Sequence, residues 1–169
     1  MKRQILTGAG ILLIILASLL IFWSLRETDE KKIKATLSEL CRIGSKSTGE
    51  NPALGALKAN RSEKVFAPRC HFDFRVNSFD GVYTPTEIGA NILRFQSLFQ
   101  WIQLEAEDLQ IEVRQDEALL FFTGEFTGVP KNSQKEKISE IRDIEARLIR
   151  TPEGAWKFVR MKIRNVLEK

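Results

Sequence analysis

Residues 137–150 read KISEIRDIEARLIR, and the architecture of the chain turns on whether they form a helix or a strand. Their Glu, Lys and Ile content suits a helix over 134–150. Ile144, Ala146 and Leu148, however, alternate with Asp143, Glu145 and Arg147, the period of a strand with one buried side. Read as a strand, the stretch joins three others: QLEAEDLQIEV (103–113), EALLFFTGEFTGV (117–129) and AWKFVRMKIRNVL (155–167). The links RQD, PKNSQKE and TPEG are short, so the four strands are predicted to run as an antiparallel meander.

Upstream, the apolar period is helical. Thr28 is placed to cap a helix over 29–46, with Asp29 and Glu30 in its first turn and Ile33, Leu37, Leu40, Cys41 and Gly44 on one stripe. SKSTGENP (45–52) breaks it. A second helix is expected from Ala53 to Phe66, with Leu54, Leu57, Val65 and Phe66 as its apolar side and Pro68 as its stop. CHFDFRV (70–76) reads as a strand that buries Cys70, Phe72, Phe74 and Val76 and turns His71, Asp73 and Arg75 outward. After a turn at Asp80-Gly81 and a short extended Val82-Tyr83, Thr84, Pro85 and Glu87 spell a capping box. Helix three follows, with Ile88, Ile92, Phe95 and Phe99 on its inner stripe.

The N-terminus is of another kind. Ile5 to Leu25 is a run of 21 residues without a charge, enough at about 1.5 Å per residue to cross a hydrocarbon layer of roughly 30 Å. Lys2 and Arg3 before it favour a cytoplasmic N-terminus and export of the remainder. A cleaved signal peptide is the competing reading, but the small cluster Leu16-Ala17-Ser18 lies inside the run. The chain is therefore expected to divide into an anchor, 1–26, and one folded domain, 27–169. It would be a single-pass protein of the inner, cytoplasmic membrane with its C-terminal domain in the periplasm or otherwise outside the cytoplasm.

Charge excludes a partner class. The 26 Lys and Arg exceed the 22 Asp and Glu, but without Lys2, Arg3 and Arg26 the counts are 23 and 22, and no basic tract is interleaved with aromatics. Nucleic acid is not an expected partner. Cys41 and Cys70 are the only cysteines; in an oxidising compartment they form a candidate disulfide, the alternative being two buried free thiols. With one histidine, His71, and no paired-cysteine motif, neither a metal site nor a cofactor is expected.

The helix-one run IKATLSEL, the passage VFAPRCHFDF, the helix entry YTPTEIGANI and the closing EGAWKFVRMKI together resemble the NTF2-like superfamily in its SnoaL-like branch. The resemblance implies an α+β, cystatin-like cone in which a curved antiparallel sheet wraps around three helices, here preceded by one transmembrane helix. That superfamily holds isomerases, dehydratases, ligand carriers and membrane-anchored assembly proteins, so the fold does not choose a function.

Catalysis in such a cone requires a desolvated acid or base inside it. His71 and Asp73 share the outward side of their strand, and Tyr83 is the sole tyrosine; these are the weak catalytic candidates. Phe72, Phe74, Phe95, Phe99, Phe122, Phe126 and Trp156 are expected either to fill the core or to line an apolar pocket. If Trp156 and Phe158 share a side with Arg160 and Lys162, acidic and basic strands form charged ladders on the outer face. The expectation is a non-catalytic binding or assembly module of the cell envelope. It would be held to the membrane by residues 5–25 and meet a second copy or an envelope protein through the sheet face. The alternative is an isomerase or hydro-lyase, or a carrier for a small apolar ligand.

Overall fold

The computed structural model describes residues 28–74, 79–131 and 136–164. The apolar run 5–25 lies outside them, as do Arg75 and Val76. Among the described residues, no helix is long and apolar enough to cross a membrane.

The decisive stretch is a strand. Four helical segments, α1 (Asp29–Gly44), α2 (Pro52–Asn60), α3 (Ser62–Val65) and α4 (Pro85–Ser97), accompany six strands. The strands are β1 (Phe66–Asp73), β2 (Gly81–Tyr83), β3 (Phe99–Arg114), β4 (Glu117–Pro130), β5 (Ile138–Arg150) and β6 (Trp156–Arg164). They form one sheet in the order β2-β1-β6-β5-β4-β3. β5 pairs antiparallel with β4 and with β6 along most of its length. Ile144, flanked by Phe122 and Ile163, has its side chain toward the helices. Two paired neighbours satisfy the strand's backbone groups, and this tertiary setting outweighs its helix-forming composition.

The sheet is mixed, whereas an antiparallel one was expected. β3 to β6 are the predicted meander, but β1 lies parallel to β6. These two strands are not joined by a hairpin, so no turn fixes their relative direction. The second helix also differs. It breaks at Arg61 and resumes for one turn as α3, so that α2 and α3 together fill the place of one helix. Pro68 does not stop it; Phe66 already begins β1, and Pro68 lies within that strand. Leu54 and Leu57, the expected apolar side, are exposed, while Gly55 and Ala59 are buried. The reason is close packing. A Cβ on Gly89 of α4 would stand 2.9 Å from the Ala59 carbonyl oxygen, so α2 meets α4 through small residues and leaves its leucines outside.

Local chemistry sets the ends of the helices. At α4 the full capping box forms: Thr84 N–H donates to Glu87 Oε2 (2.8 Å) and Glu87 N–H to Thr84 Oγ1 (3.4 Å). The C-termini of α1 and α4 cap each other. Gln96, buried on α4, donates through Nε2 to the carbonyls of Ile43 (2.9 Å), Gly44 (3.0 Å) and Ser45 (3.3 Å). Lys46 Nζ returns the contact to the carbonyls of Gln96 (2.8 Å) and Phe99 (2.7 Å). Carbonyls left over at two helix ends are thus satisfied by side chains.

The core lies between the helices and one face of the sheet. Ile33, Leu37, Ile43 and Ile88 from the helices meet Phe66, Phe72, Leu120, Phe122, Leu148, Trp156, Phe158 and Met161 from the strands. Trp156 is 1% exposed. Its Nε1 donates to Asp29 Oδ1 (3.3 Å) and its carbonyl accepts from Thr36 Oγ1 (3.3 Å), which ties α1 to β6.

Candidate functional site

Strict alternation fails at one place in β6, and this decides which residues face outward. Leu148 pairs with Phe158, but Arg147 pairs with Arg160. One step on β5 thus spans two on β6, and Val159 is the extra residue of a bulge. Trp156 and Phe158 therefore turn inward with Met161, so the condition that they share a side with Arg160 and Lys162 is not met. The sequence carried the signal: the apolar spacing 156, 158, 161, 163 contains one step of three. Asp108, at φ +50°, marks a similar shift in β3 between Glu107 and Gln110.

With this register the outer face becomes a set of cross-strand rows. Phe121, Glu145, Lys162 and Asp73 lie abreast on β4, β5, β6 and β1, and Leu119, Arg147, Arg160 and His71 form the next row. Arg147 pairs with Glu117 (2.5 Å), Arg160 with Asp73 (3.7 Å), and the Arg164 guanidinium lies 5.3 Å from the Phe121 ring centre. Toward the β3 edge the sign reverses. Carboxylate oxygens of Glu105, Glu107 and Glu125 lie within 4.8 Å of one another.

The catalytic candidates do not converge. His71 is exposed on the outer face, and Asp73 on the same face is paired as above. Tyr83 is half-buried, its ring stacked on Phe79 at 5.3 Å and its hydroxyl directed to the Asp80 carbonyl (3.4 Å). The seven rings divide into groups. Phe72 contacts Phe66, Phe74, Phe79 and Tyr83, and Phe122 and Trp156 are buried in the core. Phe95, Phe99 and Phe126 form a separate cluster with centroid spacings of 5.0 to 5.6 Å. Phe95 is not interior: it is 46% exposed, because it sits in the last turn of α4, beyond the core. Phe99 belongs to β3, not to helix three.

Cys41 and Cys70 are free, so the candidate bridge is not formed. Cys70 points into the core from β1, where burial pushes its thiol up to about 12. Cys41, on α1, is half-buried; burial and the nearby Glu105 carboxylate raise its pKa.

Two concavities stand out among the described residues. One, of about 210 Å³, lies at the β3–β4 turn among Glu112, Arg114, Glu117 and Arg147. The larger, about 340 Å³, is an open groove between α1 and β3, lined by Lys34, Leu37, Ser38 and Cys41 on one side and Glu105 to Glu107 with Leu109 on the other. Sequence reasoning missed this groove. Lys34, Leu37, Ser38 and Cys41 at helical spacing opposite Ala106, the one small residue of its strand face, are the pattern that could have located it.

No protein-family model and no curated protein matches this chain. Solved structures do. A protein of Kribbella flavida matches with a TM-score of 0.65 at 13% identity over 80% of this chain and 88% of its own. An NTF2-like superfamily protein of Salmonella enterica serovar Typhimurium matches with a TM-score of 0.61 at 15% identity over 83% and 96%. An NTF2-like protein with a cystatin-like fold from Novosphingobium aromaticivorans gives 0.60 at 14% identity over 91% and 90%. At such identities the likeness carries the fold alone: three helices and a six-stranded mixed sheet in the NTF2-like arrangement.

Proposed function

We propose that this NTF2-like chain, of the SnoaL-like kind, is a membrane-anchored binding or assembly module of the cell envelope. Residues 5–25 hold it in the inner membrane with the folded domain outside the cytoplasm. The domain acts through the outer face of its sheet and not through chemistry inside the cone. The observation that carries this reading is the direction of the candidate acid–base groups: His71 and Asp73 stand on the outer face, and the Tyr83 hydroxyl is directed at a neighbouring carbonyl. The helix-covered face carries apolar side chains packed against one another, which supports a core in place of a ligand chamber.

The outer face has the makings of a contact surface. It runs from acidic at β3 (Glu105, Glu107) to basic at β6 (Arg160, Lys162, Arg164). Two copies related by a two-fold axis can set one end against the other. Sedimentation velocity of the full-length chain in neutral detergent tests this. A dimer is expected, reduced to monomer by Arg160→Glu with Lys162→Glu and loosened by salt. A monomer for wild type under all conditions would overturn pairing through this face. A stoichiometric apolar molecule retained in native mass spectrometry would replace the reading with that of a carrier. For the anchor, carbonate-washed membranes should retain the full chain and release one lacking residues 1–26.

A further inference from the structure

The sheet has two edges, and they are finished differently. β2 has three residues, while β3 has 16 and borders the open groove. The outer side of β3 is covered only at its start. Lys46 and Ile102 exchange backbone hydrogen bonds (2.8 and 2.9 Å), and Leu104 N–H donates to Ser45 Oγ (3.0 Å). The backbone groups facing outward alternate along a strand, so Ala106 is next. Among the described residues, no backbone group bonds to that edge beyond Leu104. A long bare edge is a template for another strand.

We propose that β3 beyond Leu104 receives an extended segment of another protein as a seventh strand, with alternating basic and apolar side chains. The apolar half follows from the groove. Side chains on the inner side of an added strand enter the space of about 340 Å³, whose apolar lining is Leu37 and Cys41 of α1 with Ala106 and Leu109 of β3, beside Lys34, Ser38 and the two glutamates that flank Ala106. The basic half follows from charge. On the outer side β3 presents Glu105, Glu107 and Glu112, with Glu125 beside them on β4. Among the described residues, no Lys or Arg forms an ion pair with Glu105, Glu107 or Glu125. Between β5 and β6, Asp143 and Glu145 lie opposite Arg164 and Lys162, whereas Glu105 of β3 lies opposite Glu125. A basic strand past β3 repeats the first arrangement. A second copy of β3 does not, because it sets Glu against Glu, and like charges directly opposite destabilise a pair. The shift at Asp108 interrupts the edge and limits the registers in which a guest can bind.

The inference deepens the binding-module reading and rests on it, but on a different surface from the sheet face. Its test is fluorescence anisotropy with the full-length chain in neutral detergent and a labelled, acetylated peptide of alternating lysine and valine. Binding is expected to be at least about tenfold tighter than for the glutamate–valine counterpart and to weaken with salt. Ala106→Pro removes an outward donor that the fold does not use and is expected to cost about tenfold in affinity. N-methylation of the peptide's inward-bonding amides should do the same with the protein unaltered, while methylation of the alternate amides should not. Equal binding of the two peptides overturns the proposal. So does undiminished binding by Ala106→Pro or by the methylated peptide, and so does a wild-type dimer that Ala106→Pro dissociates. Arg160→Glu with Lys162→Glu should leave peptide binding intact, so failure at the edge and failure of face-to-face pairing are read separately.

Discussion

The two faces of this sheet are made by the same strands and obey different physics. On the side covered by helices, Phe72, Leu120, Phe122, Leu148 and Trp156 close a packed interior in which stability depends on volume and fit. On the other side, Glu145, Arg147, Arg160 and Lys162 lie in rows next to water, where each pair contributes little. The information that specifies the fold and the information that selects a partner are thus written in alternate residues. A change in one set leaves the other nearly untouched.

That separation can be broken most directly at Trp156. Trp156→Ala leaves a large void and removes the bond to Asp29, and should cost about 3–5 kcal/mol in denaturant unfolding. Gly89→Ala should cost about 1–3 kcal/mol, because its methyl group meets the Ala59 backbone carbonyl at 2.9 Å and not a side chain that can move. Gln96→Leu, which keeps the shape and strips the donor from three carbonyls, should cost about 1–3 kcal/mol. On the outer face Arg147→Ala and Glu145→Ala should each cost less than about 1 kcal/mol. An outer substitution that destabilised as much as Trp156→Ala would end the distinction.

The thiols sharpen it without altering stability. Cys70, inside, should react with a thiol reagent only on unfolding, whereas Cys41, at the groove, should label slowly in the native chain. Burial is the main cause of the raised Cys41 pKa and the Glu105 carboxylate adds to it, so Glu105→Gln should speed that labelling modestly; an unchanged rate would show that the charge does not reach it. The smallest effect is at the α4 cap. The Thr84 backbone N–H holds the Glu87 carboxyl below its ordinary value. Its contribution is therefore present above the ordinary carboxylate range and is lost as pH falls through the lowered folded value. Acid titration of stability should show this loss in the wild type and not in Glu87→Gln.

Much of the fold was legible because the signals are local. The capping box at Thr84 and the alternation of Ile144, Ala146 and Leu148 each need only neighbouring residues. The parallel pairing of β1 with β6 was not legible, since no turn joins them and nothing in CHFDFRV states which strand lies beside it. The exposure of Leu54 and Leu57 was hidden for a similar reason: the contact through Gly55, Ala59 and Gly89 belongs to two helices at once. Of the site, the outward turn of His71 and Asp73 follows from parity. The groove does not, because it is a gap between two elements and no residue encodes it by itself.

The bulge at Val159 has a further bearing on how this chain tolerates change. Deleting that residue would leave Trp156, Phe158, Met161 and Ile163 in unbroken alternation, so by polarity alone the shortened strand would look better formed than the natural one. It would also lose the local kink and added twist that an extra residue gives a strand. A variant of faultless hydrophobic pattern would then have a flatter wall: here the count of residues sets the shape, and their chemistry fills it.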